Sequence, residues 1–221
     1  MSTRSDFLAA SALTALAAGA VTAPAAAAEG VLLDEASFAA SIKTSAKHRQ
    51  AIGSVRVNDG ACLQFAVNSL NGFTTGWKEP AANVQLAVVL AGSAAMIGLD
   101  DAAWKSYRFS ELLKRFTSEF TSADGSQGNP WGHASPTIVP TADRSIPALL
   151  ARGVHMVICN TALGEIANRI VTAGFGDGGD VFAMQARLRT HALPGSKIVP
   201  AGISALVVLQ ENGYAYYSAA L

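Results

Sequence analysis

The sequence predicts an α/β fold: a mostly parallel five-stranded sheet with helices on both faces. Three observations carry this. The run VQLAVVLAG over residues 84–92 is apolar on both faces, as a strand covered on both sides by helices is. Runs of this kind alternate with segments of helical spacing, the order that builds a parallel sheet. The chain has 221 residues, half of them hydrophobic, enough for one α/β domain with a sizeable core.

The first 28 residues read differently from the rest. Arg4 precedes a weakly apolar, Ala-rich run from Phe7 to Val21, and Ala26, Ala27 and Ala28 stand just before Glu29. A positive start, a short apolar stretch and small residues at a cleavage point mark an export signal. The opening TRSDFLA is similar to a twin-arginine signal, with Ser5 at the second arginine. The run is too short and too Ala-rich for a membrane span. The expected mature protein is periplasmic or secreted, with no membrane attachment after cleavage. Cleavage after Ala28 removes Arg4 and Asp6 together, so the 16 basic and 16 acidic residues each fall by one and the balance stays neutral. No basic field remains to attract nucleic acid.

Residues 29–51 are expected as an N-terminal helical segment and 52–221 as the α/β domain. Asp34 caps a helix over 32–50, with Phe38 and Ile42 on one face. IGSVRV over 52–57 predicts the first strand, broken by Asn58-Asp59-Gly60. Residues 62–70 have helical spacing, closed by Asn71-Gly72 with a left-handed residue. After the strand at 84–92 a helix follows from about Ser93, and Asp100 or Asp101 caps another through DAAWKSYRFSELLKRF. Residues 121–144 are polar and rich in Gly, Ser and Pro, and read as an ordered surface excursion held by Trp131 and Ile138. A short helix over 145–152 leads into the next strand. Beyond it lie a glycine-rich turn (AGFGDGGDV), a helix, a strand at 197–199, a helix opened by Pro200, and a last strand at 214–218.

The central stretch is GVHMVICNTAL over 153–163. Val154, Met156 and Ile158 alternate with His155 and Val157, and Asn160 and Thr161 supply helix caps. Cys159 therefore falls at the carboxyl end of a strand, where open α/β sheets place ligands. Backbone amides at a helix start favour an anionic sulfur, the form that attacks or carries sulfur. The structural alternative is a buried free cysteine acting as a small hydrophobe.

GVHMVICNTAL and the later VPAGISALVVLQENGYAYY resemble segments of the DsrE/DsrF-like family of small sulfur-handling proteins. The first resembles a strand running into a cysteine and a polar cap. The second resembles the family's closing VPAG, helix and Q-x-x-G-Y-x-Y. The resemblance implies a flavodoxin-like three-layer αβα fold, a homo-oligomer, a sulfur donor or acceptor protein as partner, and a persulfide carried on Cys159. Known relay members of the family are cytoplasmic, whereas the start of this chain reads as an export signal.

Cys62 and Asn160 are the secondary candidates. In a flavodoxin-like order the first and third strands are neighbours, which puts Cys62 and Cys159 on one edge. Two outcomes stay open: a disulfide in an oxidising compartment, or two free thiols with Cys159 the more reactive. The spacing is not C-x-x-C, so it implies neither a thioredoxin motif nor a zinc site. His155 reads as a core residue, and His48, His133 and His191 as surface residues. No metal or cofactor is called for: GFGDGGD lacks the Lys-Ser/Thr of a phosphate loop. Trp77 and Trp131 are expected as buried loop anchors.

Overall fold

The computed structural model describes residues 30–116, 124–176 and 179–219. The expected export signal lies outside them. Five parallel strands form one sheet: β1 (His48–Ser54), β2 (Val84–Leu90), β3 (His155–Cys159), β4 (Lys197–Val199) and β5 (Ala215–Ser218). Their order is β4-β3-β2-β1-β5. Helices lie on both faces, giving a three-layer αβα fold of the flavodoxin-like kind, with β2 between β1 and β3 where flavodoxin's 2-1-3-4-5 order makes those two adjacent.

One helical layer holds α2 (Ala61–Asn71), α3 (Asp101–Ser106), α4 (Phe109–Phe116), α5 (Ile146–Ala151), α6 (Asn160–Ala173) and α7 (Val181–Thr190). It packs on Ile52, Leu86, Val88, Leu90, Met156 and Ile158. The opposite layer is α1 (Glu35–Ile42) and α8 (Gly202–Glu211), covering Ala51, Ala87, Val89, Val157 and Val199. The alternation of these two sets along β2 and β3 is the period-two side-chain pattern of a strand buried on both faces. From β1 to β4 the chain steps one way across the sheet with its connecting helices in the first layer. It then returns to the far side of β1 through α8 in the second layer. A reversal of direction with a change of face is what right-handed crossovers require.

Several expectations need correction. The helix read over 32–50 ends at Ile42, where Lys43 turns extended, and β1 begins at His48. The boundary drawn at residue 52 therefore falls inside β1. Register with β2, from His48↔Val84 onward, extends β1 through polar residues that a hydrophobic pattern leaves out. Their side chains sit at the rim: Arg49 Nη1 donates to the Asn212 carbonyl at 3.0 Å, and His48 stacks on Phe73. Gly72 is right-handed and leads into a π-helical turn at Gly72–Gly76. Only a 3₁₀ segment, Gly92–Gly98, follows β2. The run after Asp100 splits into α3 and α4, because Arg108 between them takes a φ of 52°. Pro200 precedes α8 instead of opening it.

The excursion is ordered where described. Asn129 is buried, and its Nδ2 donates to the Ile97 and Leu99 carbonyls at 2.7 and 2.6 Å. Its Oδ1 accepts the Trp131 N–H at 2.9 Å. Trp131 is buried against Trp104 and Gly60, as expected. Trp77 and Ile138 are not anchors: both are exposed.

Candidate functional site at the carboxyl edge of the sheet

β3 runs straight into α6 with no intervening turn, so Cys159 itself becomes the helix cap. Its Sγ accepts the Ala162 N–H at 3.4 Å. Capping was expected from Asn160 and Thr161, residue types that prefer that position. They instead tie α6 to its neighbours. The Asn160 carbonyl accepts from Gln185 Nε2 at 2.8 Å and its Oδ1 from Arg189 Nη1 at 3.3 Å, linking α6 to α7. The Thr161 N–H and Oγ1 both donate to the Pro200 carbonyl, at 3.1 and 3.0 Å.

Cys159 pairs across the ladder with Val199, the last residue of β4. After β3 the chain enters the first helical layer, and after β4 it enters the second. The two strands thus diverge at their carboxyl ends, and such a switch point is where open α/β sheets bind ligands. The starts of α6 and α8 flank it. Gly202 opens α8 directly beside the cysteine: a Cβ there would lie 3.2 Å from Cys159 Cβ, 3.2 Å from Val89 Cγ1 and 3.3 Å from Ala91 Cβ. Glycine therefore lets the first turn of α8 close onto Cys159.

Two shallow clefts border this point. One, of about 170 Å³, lies between α1 and α8 and includes Phe38, Val199, Pro200 and Ala201. The other, of about 120 Å³, is lined by Gly53, Val55, Val89, Gly202, Leu206 and Tyr216 among others. Cys159 lines neither of these clefts, and it is 6% exposed.

Cys62 is deeper still, at 1% exposed. It sits in the first turn of α2, packed in the first helical layer. Burial pushes its thiol up to about 11, against a smaller opposing effect of a hydrogen bond with the Ser54 side chain. The expectation that β1 and β3 are neighbours is overturned, because β2 lies between them. The two cysteines do not share a strand pair, and both thiols are free.

The histidines do not converge. His133 Nε2 meets Asp101 Oδ2 at 2.8 Å, His191 Nδ1 meets Asp100 Oδ1 at 3.0 Å, and His48 lies 3.8 Å from Glu79. His155 Nδ1 lies 3.1 Å from Lys197 Nζ. Among the described residues no group of three or more His, Cys, Asp or Glu side chains is placed to hold a metal ion. No described helix is long and apolar enough to cross a membrane.

Sequence reasoning missed Gly202 and Arg189 as parts of this edge, and placed Thr161 there as a cap without its contact to the Pro200 carbonyl. The signal for the first was present in VPAG, which sets a glycine three residues after the last residue of β4. The contacts of Thr161 and Arg189 depend on which loops meet, and strand order decides that. No protein-family model, curated protein or solved structure matches the chain.

Proposed function

We propose that this chain is an exported, DsrE-like protein that binds or relays a small sulfur species through Cys159. One observation carries the reading: the Cys159 sulfur caps α6 at the switch point of the sheet and accepts a backbone N–H there. Helix-start amides stabilise negative charge on sulfur. In the relay step the Cys159 thiolate attacks the terminal sulfur of a donor persulfide, R–S–SH. The new S–S bond forms as the donor's S–S bond breaks, leaving Cys159–S–SH and R–S⁻, with the proton retained on the transferred sulfur. No oxidant is needed. Asn160 and Thr161 are positioning residues that hold the start of α6 against α7 and the Pro200 loop. The partners of this reading are a sulfur donor or acceptor protein and further copies of the chain, in the periplasm or outside the cell.

The test is persulfide-specific labelling with mass detection after mild reduction and exposure to a sulfane-sulfur donor. Wild type and Cys62→Ser should label, and Cys159→Ser should stay folded and unlabelled. Equal labelling of wild type and Cys159→Ser, or none on wild type, removes the relay reading. A second reading then stands, a non-catalytic binding or structural module. The observation in its favour is that Cys159 is almost wholly buried, as a free cysteine serving as a small hydrophobe is.

A further inference from the structure

At the amino edge of the sheet, opposite Cys159, two loops border a cleft that the sulfur reading does not use. It has a volume of about 400 Å³ and is lined by Lys43, Thr44, Arg49, Glu211, Asn212 and Gly213. That is larger than either cleft beside Cys159, and within the ~300–1,000 Å³ of small-ligand sites. Lys43 and Thr44 come from the loop between α1 and β1, Arg49 from β1, and the other three from the end of α8 and the turn into β5.

Arg49 shares the face of Ala51, on the side of α1 and α8. Its guanidinium is fixed from two sides. Nη1 donates to the Asn212 carbonyl at 3.0 Å. Gly213 lies close against it: a Cβ there would stand 3.0 Å from Cζ and 3.2 Å from each Nη. Among the described residues the other N–H groups of Arg49 make no hydrogen bond. A fork held in place this way loses little freedom on meeting a planar anion. Thr44 Oγ1 accepts the Ala46 N–H at 3.1 Å and keeps its own proton to donate.

The charges around the cleft do not cancel one another. Among the described residues, Lys43, Arg49 and Glu211 take part in no ion pair. Glu211 also stands at the wrong end of its helix. It is the last residue of α8, where the helix dipole opposes a carboxylate. Departures of this kind from local preference gather at functional sites.

We propose that this cleft binds a small zwitterion, an amino acid or a short peptide, with its carboxylate on Arg49 and Lys43 and its ammonium on Glu211. Each charge of such a ligand meets its opposite, and the ammonium also meets the negative end of α8. A lone anion would be repelled by Glu211, and a lone cation by Lys43 and Arg49. The inference goes beyond the sulfur reading and does not depend on Cys159.

Titration of the full chain followed by amide NMR tests it, with glycine and glycylglycine as zwitterions and acetate and methylammonium as their halves. At least one zwitterion should shift the Arg49, Asn212 and Gly213 amides at millimolar concentration, with a dissociation constant at least tenfold below that of either half. Arg49→Gln should weaken that zwitterion at least tenfold. Glu211→Gln should bring it to the level of acetate, while acetate itself binds no more weakly than before. Circular dichroism checks the folding of each variant. If Arg49→Gln unfolds, Glu211→Gln decides alone, since that side chain is exposed. No shift with either zwitterion, acetate binding as tightly as both (an anion site only), or a Glu211→Gln variant that still prefers the zwitterion overturns the inference. A chain that binds the zwitterion and loads no sulfur sinks the Cys159 reading alone, and one that loads sulfur without binding the zwitterion sinks this inference alone.

Discussion

Protonation of His155 should destabilise this fold. The imidazole stands at the start of β3 with Nδ1 3.1 Å from Lys197 Nζ, which can only donate. Nδ1 therefore accepts, and the ring proton is on Nε2. Burial first, and the Lys197 charge second, bring the His155 pKa from 6.5 down to about 4. The unfolded chain takes up this proton near pH 6.5 and the folded chain only near 4. The contribution to stability is therefore whole above pH 6.5 and is lost as pH falls from 6.5 to 4. At 1.36 kcal/mol per pH unit the full loss is about 3 kcal/mol. Urea unfolding of wild type and His155→Gln at pH 7.5 and 4.5 measures it. Carboxylates titrate alike in both proteins, so the difference isolates His155. Wild type should lose about 2–3 kcal/mol more than the variant. Equal losses, or an imidazole that protonates near pH 6.5 by NMR, would show that His155 is not held neutral by the fold.

Three further outcomes are expected. Asn129→Ala removes two donors to buried carbonyls and the acceptor of the Trp131 N–H, and should cost about 2–4 kcal/mol in urea unfolding. Tyr214→Phe removes the buried hydroxyl that donates to the Ile42 carbonyl at 2.8 Å, and should lower stability by about 1–2 kcal/mol. Gly202→Val forces atoms onto Cys159, Val89 and Ala91, and should cost about 1–3 kcal/mol. It should also change the alkylation rate of Cys159 relative to Cys62. An unchanged rate would mean that α8 does not pack on the cysteine.

The sheet was legible where burial and sequence pattern coincide. β2 and β3 are apolar on both faces, and both were read from the sequence within about two residues. β1 was read late because its first half is polar and owes its place to register with Val84–Leu90, a long-range effect. Position on the sheet edge was legible for Cys159, because a strand followed at once by helical spacing leaves its last residue there. Its capping role was not, since cysteine carries no cap signal. The pairing of Cys62 with Cys159 failed for a topological reason. Local pattern gives strand count and direction, but the insertion of β2 between β1 and β3 is set by the path of the crossovers.

The proposal that Cys159 carries sulfur can be tested on the native protein. The most direct measurement is the mass of the protein purified under non-reducing conditions from its own host, followed by mapping of the two cysteine peptides. A population carrying one added sulfur atom, located on the peptide containing Cys159, with Cys62 a free thiol, is the expected result. Unmodified Cys159 throughout, or added sulfur on Cys62 alone, would contradict it.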